Sequence, residues 1–340
     1  METYMKKTLS ILLVLFIHYA IAKESNMVLG SLAQFETNMI AMHGNRGKNW
    51  LATLPTVTME LAQQWGLSDL TPIENLSYNY ILSGFQGTRP IVVKISFDPQ
   101  ESEKEFRTLR ALKSPCVVQV LAHDSERSAL LLERAVPGDT LWSFFPDRDV
   151  EATDIVCELI QQLPQPPTFE HTALESKGDD NDTRIIDMDW DIPHQYLQKA
   201  RTLKTQLLAT TPQTILLHGD LHGGNIIKHQ NRWIIIDPII RLGEQATEIA
   251  TFIIDPHEKL LPRPDAQMIM KRRILTAAQK LHLDPERIQR WCFVLVIISW
   301  AWCLKHGIDH TKTAHVAQFL DPLTPDNLET ASPLCVTEKE

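Results

Sequence analysis

The chain has 340 residues, of which 44% are hydrophobic and 22% are charged. This composition excludes a disordered or fibrous protein, and the length is sufficient for two lobes that each bury a core. The formal net charge of −9 argues against nucleic acid or an anionic membrane surface as the main partner, whereas a cationic substrate is compatible with it.

The N-terminus has the pattern of a secretory signal peptide. Lys6 and Lys7 precede an apolar run over residues 9–22 that ends in Ala-Ile-Ala, a pattern typical of a cleavage site. The run is shorter than the apolar stretch that a transmembrane helix usually needs. Two explanations stay open: residues 1–26 export the protein or anchor it to a membrane, or translation starts at Met27. We favour the second explanation.

The cysteines indicate a reducing compartment, which conflicts with export. Their number is odd and no two are spaced as C-x-x-C, so we expect neither a disulfide framework nor a structural zinc site. Three of them, Cys157, Cys292 and Cys303, lie in apolar helix-like runs and are expected in the core. The other two are Cys116 and Cys335.

Hydrophobic periodicity in the first part of the chain predicts one small sheet with helices. Residues 45–66 show helical spacing, with Pro55 as a candidate helix start. Alternating residues around 78–82 and the run 91–95 predict an antiparallel hairpin whose turn covers 84–90. Further elements are predicted as a helix over 101–112 and strands over 117–121 and 129–134.

The second part of the chain is predicted to be mainly helical. We expect helices over 147–163 and 194–209 and two more within 265–306, and strands over 215–217 and 233–237. The apolar run from Trp291 to Leu304 is expected to be a buried core helix rather than a membrane span. Residues 164–181 and the tail after Pro322 have the composition of surface segments.

The stretch from Leu217 to Asn225, L-H-G-D-L-H-G-G-N, carries the chemistry. Phosphoryl transfer needs a carboxylate that orients an attacking hydroxyl and accepts its proton, and oxygen ligands for Mg²⁺. Asp220 is the candidate base. Asn225 and Asp237, the latter at a predicted strand end, are the candidate Mg²⁺ ligands. We expect His218 to be structural, and the glycines at 219, 223 and 224 to allow a tight turn.

A metal hydrolase is an alternative reading of the same residues. His218, Asp220 and His222 alternate along the chain and could be a ligand cluster. This alternative leaves Asn225 and Asp237 without a role.

The string H-G-D-x-H-x-x-N, followed by a hydrophobic strand that ends in I-D-P, resembles the aminoglycoside phosphotransferases. Within them the chain is most similar to the streptomycin 6-phosphotransferase branch, the aminoglycoside/hydroxyurea resistance kinases. Supporting strings include G-K-N-W-L from Gly47, Q-W-G-L from Gln64 and L-L-L-E-R-A from Leu130. The resemblance covers roughly residues 40–310.

The resemblance implies an α+β, protein-kinase-like fold with a small antiparallel-sheet N-lobe and a mainly helical C-lobe, which binds ATP and Mg²⁺ between the lobes. It implies that Lys94 contacts the ATP phosphates. Glu105 is the match for the helix carboxylate that pairs with this lysine, with Glu101 and Glu103 as fallbacks. Residues Glu133 to Ala135 would form the hinge, whose backbone bonds the adenine.

Two departures from the family pattern concern nucleotide and substrate binding. The nucleotide loop, residues 75–80, has no glycine where kinases usually have several. After Asp237 and Pro238 the chain continues Ile-Ile-Arg, where the branch usually has a lysine and a glycine.

These observations predict a cytoplasmic ATP-dependent kinase for a small molecule that carries a hydroxyl group, most simply a cationic aminoglycoside such as streptomycin. Kinases for another small hydroxyl metabolite and a nucleotide-binding pseudokinase remain alternatives. Candidate residues for holding a cation are Glu244, Glu248 and the acidic segment 179–182. We expect an N-lobe over 27–135, a C-lobe over 136–322 and a flexible tail over 323–340. The oligomeric state and the hydroxyl phosphorylated do not follow from the sequence.

Overall fold

The computed structural model describes residues 2–74, 76, 78–163, 184–239, 241–307 and 309–321, with side chains described from residue 32 onward except at positions 257, 258, 306 and 312. The chain divides into two compact units. One consists of Met1–Phe106 with Gln119–Arg134, and the other of Arg107–Val118 with Ala135–Glu340. The acidic segment 179–182 and the tail 323–340 lie outside the described residues.

The first unit combines a five-stranded antiparallel sheet with helical segments. The strand order is β1-β2-β3-β5-β4. The elements are α1 (Glu2–Trp65), β1 (Leu67–Pro72), β2 (Asn79–Gln86), β3 (Arg89–Ser96), α2 (Pro99–Leu112, of which the residues up to Phe106 belong to this unit), β4 (Val120–Asp124) and β5 (Ala129–Glu133).

Helix α1 confirms the helical prediction for residues 45–66, but Pro55 lies inside it rather than at its start. The helix is interrupted at Gly44, whose φ of 57° and ψ of −135° are not helical. Proline in a helix removes one backbone hydrogen bond. Burial of Leu54 and Leu61, at 5% and 0% exposure, offsets that cost.

The core of the first unit lies between helix α1 and one face of the sheet. Alternate residues of β3, Ile91, Val93 and Ile95, are at most 1% exposed because successive side chains of a strand point to opposite faces. They pack with Phe35 and Met39 of α1. The predicted hairpin is confirmed, with Leu82 of β2 opposite Val93.

The strand predicted over 117–121 is displaced. Strand β4 starts at Val120, whereas Val118 N–H donates to Ile235 O at 3.0 Å. Val117 forms an isolated parallel bridge with the same isoleucine. Local β propensity predicts a single continuous strand here, but residues at the two ends of the stretch pair with partners in two different units.

The second unit is mainly helical and carries two small sheets. One sheet has the order β6-β8-β9, and β10 pairs with β7. The strands are β6 (Pro137–Thr140), β7 (Ile215–Leu217), β8 (Ile226–His229), β9 (Arg232–Ile235) and β10 (Arg241–Gly243). The helices are α3 (Asp149–Gln162), α4 (His194–Ala209), α5 (Gln245–Ile253), α6 (His257–Leu260), α7 (Ala266–Leu281), α8 (Pro285–His306) and α9 (Thr311–Leu320), with short 3₁₀ turns at Leu141–Phe144 and Ile185–Asp187.

Helix α8 contains the apolar run that the sequence places in the core. Cys292, Val294 and Ile297 are fully buried, so the run packs inside the protein as expected. Within the part of the chain that the structure describes, Pro285–Lys305 is the one stretch long and apolar enough to cross a membrane, and 67% of its most apolar window is buried.

The cysteines that the structure describes are free and buried, which confirms Cys157, Cys292 and Cys303 as core residues. Cys335 lies outside the described residues. Burial raises the pKa of Cys157 to about 12, so this thiol stays protonated and unreactive.

Candidate functional site

Two strand pairs place the string H-G-D-L-H-G-G-N in a loop between β7 and β8. Leu217 at the end of β7 lies opposite Arg241 of β10, and Ile226 at the start of β8 lies opposite Ile235 of β9. Residues 218–225 therefore connect two strands whose partners are consecutive in the chain.

The segment after β9 bonds to both ends of this loop. Ile236 N–H donates to Asn225 O at 2.9 Å, and Ile239 N–H donates to His218 O at 2.8 Å. Asp237 lies between these two bonds and is held beside the loop. The predicted strand over 233–237 ends earlier, at Ile235, because Asp237 has a left-handed φ of 59° that no strand residue adopts.

Asn225 contacts Asp220 through its side-chain amide. Nδ2 donates to Asp220 O at 2.9 Å and lies 3.3 Å from Asp220 Oδ2. Within the described residues, no donor reaches Asn225 Oδ1. An oxygen of this kind, together with the carboxylate of Asp237, suits Mg²⁺, which takes one or two protein ligands and completes its shell with water and phosphate oxygens.

Burial raises the pKa of the Asp220 carboxyl above its ordinary value. Asp237 raises it further, whereas His222, Arg241 and the Asn225 amide lower it. A carboxylate with a raised pKa is a stronger proton acceptor, which is the property that a general base needs.

His218 is fully buried, and both of its ring nitrogens bond to the backbone. Nδ1 accepts from Asp220 N–H at 3.3 Å, and Nε2 donates to Ile236 O at 2.9 Å. Burial lowers the pKa of His218 to about 4, so the ring is uncharged at neutral pH. This arrangement confirms the structural role expected for His218. It also contradicts the metal-hydrolase alternative, because neither nitrogen is available as a ligand.

Glu248 on helix α5 holds the start of the loop through hydrogen bonds to its backbone. Its carboxylate accepts from His218 N–H at 2.5 Å and from Gly219 N–H at 3.2 Å. Burial raises the pKa of Glu248 to about 7, and these two bonds oppose the shift. Gly219 has a φ of 83°, and a Cβ there would lie 2.0 Å from Ile239 O, so the turn requires glycine.

Trp142 and Asp255 support the loop and were not found from the sequence. Asp255 accepts hydrogen bonds from Trp142 Nε1 and from Gly223 N–H, the latter at 3.0 Å. A Cβ on Gly223 or Gly224 would approach the Trp142 ring to 2.6 or 2.7 Å. The adjacent glycines were the available signal, because they indicate that a large group packs against the loop.

The candidate cation-binding residues Glu244 and Glu248 serve internal contacts instead. Glu244 is 3% exposed and accepts from Arg287 Nε at 2.5 Å and from Trp291 Nε1. Glu248 is 2% exposed and bonds the loop backbone. The prediction that these two carboxylates hold a cationic acceptor is therefore wrong, since burial leaves no surface for a ligand.

In the first unit, Lys94 and Glu105 form a buried ion pair. Lys94 lies on β3 between Ile81 and Leu130, and its Nζ is 2.7 Å from Glu105 Oε2 on helix α2. The side chains are 6% and 10% exposed. Of the two fallbacks, Glu101 is exposed and Glu103 lies 3.7 Å from His123 Nε2.

Glu133, the first residue of the expected hinge, bonds to Gln119. Its Oε1 accepts from Gln119 N–H at 2.8 Å, and its own N–H donates to Gln119 O at 3.0 Å. Ala135 is 8% exposed, and among the described residues nothing accepts a bond from its N–H. Since no protein acceptor is seen for this N–H in the described part of the chain, it can donate a hydrogen bond to a ligand.

The loop before β2 is described only in part. Asn75 and Ser77 lie outside the described residues, Leu76 is buried, and Tyr78 is 52% exposed. The described residues contain no group of three or more His, Cys, Asp or Glu side chains that could hold a metal ion.

Comparisons with known proteins identify relatives of this chain. A model of the family described as aminoglycoside/hydroxyurea antibiotic resistance kinase matches residues 72–307. Streptomycin 6-kinase of Streptomyces griseus is 23% identical over 81% of this chain and 91% of that protein. Streptomycin 3''-kinase of Klebsiella pneumoniae is 29% identical over 67% of this chain and 85% of that protein.

A solved structure shows the same fold at low sequence identity. Choline kinase LicA of Streptococcus pneumoniae superposes with a TM-score of 0.58 at 15% identity, covering 79% of this chain and 99% of that chain. The α+β, protein-kinase-like fold predicted from the sequence is thereby confirmed, with an antiparallel sheet in one unit and mainly helices in the other.

Proposed function

Because this chain belongs to the family of aminoglycoside/hydroxyurea antibiotic resistance kinases, we propose that it transfers the terminal phosphoryl group of ATP to a hydroxyl group of an aminoglycoside such as streptomycin. Membership makes the chain a small-molecule phosphotransferase with an alcohol group as acceptor. The choice of ATP and of an aminoglycoside is the proposal.

The observation that carries the proposal is the arrangement around Asp220. A partly buried carboxylate is bonded by Asn225, and backbone bonds on either side of Asp237 hold that second carboxylate beside the same loop. One carboxylate that accepts a proton and a separate amide and carboxylate that hold Mg²⁺ are the parts that phosphoryl transfer requires.

In the proposed reaction, Asp220 orients the acceptor hydroxyl and takes its proton. The hydroxyl oxygen forms a bond to the terminal phosphorus of ATP, the bond from that phosphorus to the bridging oxygen breaks, and ADP leaves with its electron pair. Catalysis then depends mainly on alignment of the oxygen and phosphorus, because little covalent chemistry is left to the protein.

Three further sets of residues would act on the nucleotide. Asn225 and Asp237 would hold Mg²⁺, which, when bound, neutralises charge on the phosphate oxygens. Lys94, kept in place by Glu105, would contact the phosphates as a fixed positive charge. The Ala135 N–H, and Glu133 with the hinge backbone, would face the adenine.

The proposed acceptor is inferred from the relatives, which are named as streptomycin kinases that act at two different positions. The buried state of Glu244 and Glu248 removes two acidic contacts that a cationic antibiotic could use. That observation favours a second candidate, a kinase for another small hydroxyl metabolite. Either activity would take place in the cytoplasm, where ATP is supplied.

The test is a transfer assay with the purified protein, Mg-ATP and a panel headed by streptomycin, followed by ADP release and by the mass of each acceptor. We expect streptomycin to gain about 80 Da, the mass of one phosphoryl group. Phosphorus–proton couplings in the NMR spectrum of the product would identify the modified hydroxyl.

The Asp220→Asn variant is the control, and it should bind nucleotide without producing the mass gain. Transfer to a different hydroxyl compound would replace the aminoglycoside with the second candidate. Nucleotide binding without transfer to any member of a wide panel would contradict the proposed activity and leave a pseudokinase.

A further inference from the structure

The loop 218–225 contains two histidines that make the same local hydrogen bond. His218 Nδ1 accepts from the N–H of Asp220 at 3.3 Å, and His222 Nδ1 accepts from the N–H of Gly224 at 3.0 Å. In each case the donor is the amide two residues further on. A donor that faces Nδ1 requires an unprotonated nitrogen there, so the ring proton lies on Nε2 in both side chains.

The Nε2–H group of each histidine faces a different part of the site. His218 donates to Ile236 O, the residue before Asp237, at 2.9 Å. His222 Nε2 lies 3.6 Å from Oδ2 of Asp220. The first histidine therefore fixes the segment that carries Asp237, and the second faces the carboxylate of Asp220 itself.

We propose that His222 is a positioning residue for Asp220, whose Oδ2 it engages through its Nε2–H so that Oδ1 is the atom that accepts the hydroxyl proton. This inference rests on the proposed function. Asn225 Nδ2 approaches the same Oδ2 at 3.3 Å. Within the described residues, no donor reaches Oδ1, which leaves that oxygen for the acceptor.

The separation of 3.6 Å exceeds an ordinary hydrogen bond. Hydrogen bonds between catalytic groups are often long before the reactants bind and shorten in the reactive complex. The Asp220 side chain is 40% exposed, so its carboxylate has room to rotate toward His222.

Two contacts hold the His222 ring in place: a stacking contact on its face and the hydrogen bond at Nδ1. Trp142 stacks on it with ring centres 5.3 Å apart and planes 11° apart. The Trp142 indole bonds to Asp255, which also accepts from Gly223 N–H. The tryptophan and the loop backbone therefore share one carboxylate, and the ring plane of His222 is fixed relative to Asp220.

Two substitutions separate the two nitrogens of His222. In His222→Gln, the side-chain amide can place an N–H where Nε2 was, but the acceptor for Gly224 N–H is lost. In His222→Asn, the carbonyl can replace Nδ1 as that acceptor, but no donor reaches Asp220. His194→Asn, at an exposed position on helix α4, is the matched control.

We expect His222→Asn to lower kcat roughly 10- to 100-fold, as when a reacting group is misplaced, with unchanged nucleotide affinity and Tm. His222→Gln should retain kcat within about threefold of the wild type, since it keeps the donor. In the Asp220→Asn background the His222→Asn effect should disappear, because a residue that acts through Asp220 has nothing left to position. Equal kcat for His222→Asn and the wild type, or the full loss in both backgrounds, would overturn the proposal.

A second measurement does not depend on the acceptor. Imidazole ¹⁵N NMR of the full chain should show the Nε2–H form for His222, with the signal assigned by its absence in His222→Asn. An Nδ1–H form would contradict the proposal even if the transfer assay succeeds. Failure of the wild type to phosphorylate any acceptor would instead count against the proposed function, while the NMR result still decides the geometry.

Discussion

At the scale of single residues, the buried pair of Lys94 and Glu105 separates a stability effect from a catalytic one. Removing one partner of a buried ion pair leaves an uncompensated charge and costs about 3–5 kcal/mol. We expect Glu105→Gln to lower the free energy of unfolding by about that amount and to raise KM for ATP roughly tenfold, since Lys94 loses its fixed position.

The matched variant is the double substitution Lys94→Met with Glu105→Gln, which removes both charges. It should recover most of the lost stability, measured by urea unfolding, but not the phosphoryl transfer. If the double variant also recovers transfer, Lys94 does not contact the nucleotide phosphates.

Gly219 provides a second test at this scale because both its φ angle and its surroundings exclude a side chain. Alanine there would place Cβ 2.0 Å from Ile239 O, so the backbone of the catalytic loop must shift. We expect a loss of more than about 2 kcal/mol in stability together with loss of transfer. Gly87→Ala is the control, since Gly87 has a similar φ of 61° with open space around it and should cost only about 1 kcal/mol. Similar losses for both variants, by urea unfolding, would show that the φ angle alone matters.

At the scale of elements, the loop between β7 and β8 joins two buried groups whose ionisation has opposite effects on stability. The pKa of His218 falls to about 4 in the folded protein, so its contribution is complete above pH 6.5 and is lost as the pH falls toward 4. The pKa of Glu248 rises to about 7, so its contribution is complete below pH 4.5 and is lost as the pH rises toward 7. Between pH 4.5 and 6.5 the two slopes oppose each other.

In Glu248→Gln, the pH dependence of stability that comes from His218 should remain without the opposing contribution of Glu248. The amide oxygen can still accept from the loop N–H groups but does not ionise, so the stability of the variant relative to the wild type should rise by about 3 kcal/mol between pH 4.5 and 7, at roughly 1.4 kcal/mol per pH unit. Urea unfolding of both proteins across this range measures the difference, in which other ionisable groups cancel. A difference that does not change with pH would show that Glu248 keeps its ordinary pKa when folded.

The same elements show what the sequence could and could not predict. Helix α4 and strand β7 have the predicted bounds because their signals, helical periodicity and a short apolar run, are local. The strand predicted over 117–121 starts later, at Val120, because Val117 and Val118 pair with Ile235, which lies far along the chain. Strand β1 and helices α5 and α9 were missed, because they are only 6, 9 and 10 residues long and such short segments contain few repeats of a periodic pattern.

At the scale of the whole molecule, the family and the fold followed from a nine-residue string and the hydrophobic strand after it. Trp142 and Asp255 could not be found in the same way, because they lie 113 residues apart and meet only in the folded chain. Glu244 and Glu248 were assigned to the acceptor on charge alone, and burial by Arg287 and by the loop backbone overturned that assignment. Catalytic groups held by local turns can be predicted from a sequence motif. Groups that select the acceptor depend on packing between residues that are far apart in the chain.

The central claim, that Asp220 is the base, is tested most directly by rapid-quench single-turnover transfer in wild type and Asp220→Asn, with nucleotide affinity measured in parallel. The amide is close in size to the carboxylate but cannot accept the proton. We predict that the variant binds Mg-ATP with an affinity within about threefold of the wild type and transfers at least roughly 1,000-fold more slowly. Transfer at the wild-type rate by Asp220→Asn would contradict the account, because the proton of the acceptor hydroxyl would then have to reach another group.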